Sequence, residues 1–145
     1  MQLDNFTKRL DKMKTKNPLF NFRLGNPISL SDCTEIENKL HIEIPEKVKE
    51  FYQTTNGLIT SNPDFEIIEI DSWKIENESI HFATFNKINK VFFEISKLNN
   101  ANEWIIINKE NGYEITLSIS SFWSNKIWHW IENKKMIWAD NWWET

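Results

Sequence analysis

The spacing of apolar residues changes from helical to strand-like at Asn56-Gly57, and that change constrains the fold more than any other feature. Upstream, apolar side chains recur every three or four residues: Leu3, Phe6, Leu10 and Met13, then Ile36 and Leu40, then Val48, Phe51 and Tyr52. Such spacing turns one stripe of each segment toward a core, as an amphipathic helix does. Downstream come FEIIEI, IHFATF, VFFEI, EWIII and YEITLSI, short runs of branched and aromatic residues divided by Asn, Lys, Gly or Asp. These runs predict strands of a mostly antiparallel sheet. The stretch SSFWSNKIWHWIENKK then returns to helical spacing through Trp123, Ile127, Trp130 and Ile131. The expected class is α+β, with N-terminal helices and one C-terminal helix packed on the sheet.

Local signals set the expected boundaries. Pro45 fixes a helical backbone angle and lacks a donor that would go unpaired, so it should open the helix carrying Val48, Phe51 and Tyr52. Asn56-Gly57 should end it, with Gly57 left-handed beneath the last carbonyls. Asp32 is the expected cap of the preceding helix, with Glu35 in the reciprocal position, and Ser120 or Ser121 the cap of the last one. NPLFNFRLGNPISL reads as a connector pinned by Pro18, Gly25 and Pro27. Asn111-Gly112 should turn a strand ending near Asn108 into one beginning near Tyr113. KMIWADNWWET should pack as a short strand or hook anchored by Trp138.

Length and composition narrow the class. The 145 residues suit a single domain over 1–145, and 40% hydrophobic with 26% charged residues can fill a core and wet a surface. A net charge of −4 argues against a general polyanion-binding surface, and Lys8, Arg9, Lys12, Lys14 and Lys16 read as a solvated helix face, with a basic contact surface as the alternative. The single Cys33 excludes an internal disulfide and reads as a small buried helix residue. No apolar run approaches the roughly 18 residues of a spanning helix, and MQLDNFTKRL has no apolar core of secretory type. A cytoplasmic protein is expected, for which NFT at Asn5 and NES at Asn77 are only nominal glycosylation acceptors.

Most catalytic classes lack their residues here. His41, His81, His129 and Cys33 have no metal-ligand spacing, so no metal is expected. Isolated Gly25, Gly57 and Gly112 make no phosphate loop, no nucleophile elbow surrounds the serines, and no cofactor is implied. Trp123, Trp128 and Trp130 lie among apolar rather than basic residues, which favours core packing over base stacking; no direct nucleic-acid contact is expected.

One charge cluster remains. DFEIIEIDSWKIENE gathers Asp64, Glu66, Glu69, Asp71, Glu76 and Glu78 around the single Lys74. On a continued strand Phe65, Ile67 and Glu69 share one side with Asp71, and Glu66, Ile68 and Ile70 the other; paired carboxylates there also suit acid/base work or a cation. Glu66, Glu69, Asp71 and Glu76, with Trp73 as aromatic anchor, are expected to present a surface to a basic protein. The alternatives are a small hydrolase built on these acids and a general regulatory interaction module.

The stretch TEIENKLHIEIPEKVKEFYQTTNG, with Leu40, Ile44-Pro45, Phe51 and Asn56-Gly57, resembles the SMI1/KNR4 family of the SUKH superfamily. IHFATFNKINKVFFEIS, with Phe82-Ala83, Asn86 and Phe93, looks like the family's sheet segment, and SSFWSNKIWHWI, with Trp123 and Trp130, like its following helix. The likeness is strongest over residues 32–131. It implies a protein-binding scaffold without an active-site signature. In bacterial toxin systems such proteins bind and neutralise a cognate toxin, often a nuclease; a eukaryotic branch is linked to cell-wall synthesis and signalling. The resemblance leaves the toxin and the oligomeric state open.

Overall fold

The computed structural model describes residues 3–144; Met1 and Gln2, at the head of MQLDNFTKRL, and Thr145 lie outside the described residues. Helix α1 (Leu3–Lys16) buries Phe6, Leu10 and Met13, while Leu3 is half-buried. Strand β1 (Asn21–Leu24) follows, where a connector was expected. It pairs antiparallel with β2 (Leu58–Ser61), and its four residues alternate exposed and half-buried as an edge strand does.

Helix α2 (Leu30–Leu40) is capped by Ser29, not Asp32. The Ser29 hydroxyl accepts from the Asp32 amide at 3.0 Å and the Asp32 carboxylate accepts from the Ser29 amide at 2.9 Å, so the capping box lies three residues earlier than expected. These bonds hold the exposed Asp32 carboxyl below its ordinary range. Cys33 is buried, as expected, and His41 closes the helix in a left-handed conformation. Glu37 then ties α2 to the next helix: it accepts from the Ile44 amide at 2.8 Å and lies 3.6 Å from Lys49. Helix α3 (Glu46–Thr54) has Pro45 as its N-cap residue, whose carbonyl takes the first helical bonds, and it buries Val48, Phe51 and Tyr52.

The described residues form an eight-stranded antiparallel sheet. Its remaining strands are β3 (Phe65–Ile67), β4 (Ile75–Glu76), β5 (Ser79–Phe85), β6 (Asn89–Glu94), β7 (Ile105–Asn108) and β8 (Tyr113–Thr116). The order is β1-β2-β3-β5-β6-β7-β8, with β4 pairing onto β5. The Asn111-Gly112 turn joins β7 to β8 as expected, with Gly112 at φ +76°.

The C-terminal helical run has three parts: α4 (Ile119–Ser121), a π-helical turn over Phe122–Lys126, and α5 (Ile127–Asn133). Its cap is Ser118, whose hydroxyl accepts from the Ser121 amide, rather than Ser120 or Ser121. The wider turn lets Phe122, Trp123, Trp128 and Trp130 all be buried, so the run is gripped on more than one face. Phe122 meets Phe65, Phe82 and Phe85 of the sheet. Trp123 stacks on Phe6 with ring centroids 3.6 Å apart and takes the edge of Phe51 at 4.5 Å, which seats α1 and α3 on the same run. The tail makes no strand; it hooks back through buried Ile137 and Trp138, and Trp138 lies 5.0 Å from Phe85.

Candidate partner-binding site

The acidic segment is a turn, not a continued strand. Strand β3 ends at Ile67, and Ile70–Ser72 form a 3-10 turn closed by the Trp73 amide bonding to the Ile70 carbonyl. Glu69 and Asp71 therefore do not share a strand face. Asn56 holds this turn from the side: its Oδ1 accepts from the Ile70 amide at 2.9 Å and its Nδ2 donates to Asp71 Oδ1 at 3.1 Å. Helix α3 ends at Thr54, two residues before Asn56, with extended Thr55 donating its amide to the Phe51 carbonyl. Asn56-Gly57 thus reverses the chain into β2 beyond the helix and not beneath its last carbonyls. Gly57 is left-handed at φ +100°, and a Cβ there would lie 2.7 Å from the Ile67 carbonyl oxygen.

Two further supports stiffen the corner. The Thr55 hydroxyl lies 2.9 Å from both the Gly25 and Gly57 carbonyls. A Cβ on Gly25 would overlap the Asn56 carbonyl, so the backbones meet closely enough there to require glycine.

Trp73 corrects an expectation. Its indole is 3% exposed, packed edge-on to Tyr52 and Phe93 and beside Trp104, with no face left for a partner. It donates to the Tyr52 hydroxyl at 3.3 Å, and that hydroxyl donates to the Ile68 carbonyl at 2.8 Å. Burial pushes the Tyr52 phenol well above its ordinary range, keeping it a donor. An aromatic residue between carboxylates reads as a surface anchor because sequence does not show which way it points; here it bolts the acidic turn to the core from below.

Glu66, Glu69, Asp71 and Glu76 are all exposed. The structure brings the first three together at one corner and separates Glu76 from them. Glu66 pairs across to Thr84 while Glu76 pairs to Ser79, positions about 16 Å apart along β5 at strand rise. The register also places residues that the sequence reading missed. Arg23, Ile59, Glu66, Thr84 and Lys90 lie in one row across the sheet's outer face. Ile59 is 42% exposed within that row. Alternation in LITS was the available signal, but four residues directly after a turn are too few to distinguish from a loop. Glu66, Ile59 and Lys90 line a hollow of about 430 Å³ that His81 also borders. His81 bonds to Thr84 at 2.8 Å, and burial lowers its pKa.

The remaining expected residues are structural. Ile44, Pro45, Phe51, Phe82, Ala83, Trp123 and Trp130 are buried and Leu40 is half-buried. Trp130 donates to the Asp64 carbonyl at 2.9 Å, fixing α5 to the β2–β3 corner. The three histidines stay apart: His41 caps α2, His81 borders the outer face and His129 packs on Trp142. Among the described residues no three His, Cys, Asp or Glu side chains converge as a metal site. Glu66 and Glu69 do line one hollow together, but it holds about 50 Å³, room for little more than a water. Burial raises the Glu103 carboxyl's pKa against the pull of Lys47, yet it lines neither of these hollows.

The helix order, the Ile44-Pro45 start, the Asn56-Gly57 reversal and the aromatic sheet agree with one family, described as SMI1 / KNR4 family (SUKH-1), whose model matches residues 27–144. The chain belongs to that family. No curated protein matches it. SMI1/KNR4 membership suggests protein–protein interaction of an immunity-like kind. Within this SMI1/KNR4 fold, α1 precedes the matched stretch and still supplies Phe6, Leu10 and Met13 to the core. Among the described residues no helix is long and apolar enough to cross a membrane.

Proposed function

We propose that this chain is an immunity-type protein of the cytoplasm, which neutralises a cognate toxin, such as a nuclease, by binding it directly. One observation carries the binding site: Glu66, Glu69 and Asp71 project from a corner whose backbone is held by Asn56 and whose underside is Trp73. Pre-ordered charge costs little further entropy on association and steers a basic surface toward it. The exposed Ile59 beside Glu66 supplies apolar contact, so attraction and desolvation act on adjacent atoms. Seated on a nuclease's substrate-binding face, which is basic because its substrate is a polyanion, this corner blocks access without chemistry of its own. A hydrolase reading would use the 430 Å³ hollow, where Asp64 and Glu66 stand with His81, but Asp64 is paired there with Lys87 at 3.6 Å, and the 50 Å³ hollow shared by Glu66 and Glu69 is too small for a substrate.

The test is co-expression with the product of the adjacent coding sequence. Restored growth with this chain, and none with a Glu66→Lys/Glu69→Lys variant of unchanged melting temperature, is the expected result. Failure of the wild-type chain to protect or to bind would contradict the reading.

A further inference from the structure

A second surface lies on α1. A groove of about 540 Å³ is lined by Lys8, Arg9, Lys12 and Lys16, with Met13 among them and Glu132 of α5 contributing the carboxylate. Residues four apart stack along a helix, so Lys8, Lys12 and Lys16 form one row about 12 Å long with steps of about 6 Å.

The cations are not equivalent. Arg9 is engaged: its guanidinium forks onto Glu132 at 2.7 and 2.6 Å and lies 4.3 Å over the Trp128 ring. That contact neutralises the groove's carboxylate and holds it below its ordinary range, with Lys16 and His129 adding to the effect. The Lys8 and Lys12 ammonium groups have no ion pair or hydrogen bond among the described residues. Two exposed ammonium groups therefore face a concave surface whose carboxylate is already satisfied.

We infer that this groove docks a short acidic segment of a partner protein. Carboxylates on alternate residues of an extended chain, or four apart on a helix, repeat at about 6 to 7 Å, which matches the lysine row. A nucleic acid fits less well for three reasons. The row spans only about three backbone phosphates. Trp128 is 4% exposed beneath Arg9, so no ring is free for a base to stack on. Beyond α1, whose five cations outnumber its two carboxylates, the chain is net acidic and repels a longer polyanion. The groove shares no lining residue with the Glu66 hollows and stands apart from the toxin-binding reading.

Fluorescence anisotropy with labelled hexaglutamate and labelled oligothymidine, each at about 50 and about 300 mM salt, tests it. Hexaglutamate should bind the full chain at low salt, weaken at high salt, and bind Lys8→Glu/Lys12→Glu at least about tenfold more weakly. Lys8→Arg/Lys12→Arg should keep the binding, and melting curves should show both variants folded. If the reversed variant melts early, Lys8→Gln/Lys12→Gln makes the same comparison, with a loss of about threefold expected. No hexaglutamate binding by the wild-type chain, equal binding by the charge-altered variants, or tighter binding of oligothymidine would each overturn the inference.

Discussion

Asn56 joins three parts of the chain with one side chain and one amide. Its amide bonds to the Asn26 carbonyl at 3.0 Å, its Oδ1 takes the Ile70 amide and its Nδ2 holds Asp71. A sequence reading sees Asn-Gly as a turn and is right about Gly57, but it cannot see that the carboxamide reaches 14 residues ahead. The same blindness placed Trp73 on the surface. Side-chain direction in a short turn is set by what lies beneath it, here Tyr52 from a helix 21 residues earlier. Asn56→Ala leaves the half-buried Ile70 amide unpaired and should cost about 1 to 2 kcal/mol. Gly57→Ala should cost more, roughly 2 to 3 kcal/mol, because positive φ and the Ile67 carbonyl both oppose a Cβ. Denaturant melts of the two single variants and the double check this; because both act on one turn, the double should fall short of the sum.

Elements of regular pattern were legible, and short ones were not. Helix α1, helix α3 and strands β5 to β8 show their period over enough residues to be read. Strand β1 escaped because Pro18, Gly25 and Pro27 surround four residues whose partner, β2, is itself short. The acid-bearing stretch was taken for strand because FEIIEI has strand composition; Asn56 bonding at Ile70 ends β3 early and folds the rest into a 3-10 turn. At this scale His81 couples the outer face to pH. Burial beside Thr84 and Phe92 disfavours its cation and Lys90 adds to this, while the Ala83 backbone and, less, Glu76 partly compensate. Its folded pKa is lowered below the ordinary 6.5, so the unfolded chain binds the proton first as pH falls. The wild-type chain should therefore lose stability on going from pH 7 toward pH 5, and His81→Gln should lose less over the same interval. Equal pH slopes in paired chemical melts would contradict this.

The whole molecule carries two charged surfaces, the second of them mixed, since Arg23 and Lys90 share a row with Glu66. Helix α1 carries the basic groove, the β3 corner carries Glu66, Glu69 and Asp71, and the aromatic core between them joins both to one sheet. The Ile44-Pro45 start, the Asn56-Gly57 reversal and the aromatic sheet segment pointed toward the SMI1/KNR4 family, and the family match to residues 27–144 agrees with that direction. Which residues form the contact was only partly visible, since Arg23, Ile59 and Lys90 join Glu66 only through sheet register. Calorimetric titration of the adjacent gene product with the wild-type chain and with Glu66→Lys/Glu69→Lys is the most direct measurement of the central claim. A tight wild-type complex, weakened at least about a hundredfold by the reversal while the variant's melting temperature holds, is the predicted result. Equal affinities for the two chains would contradict it.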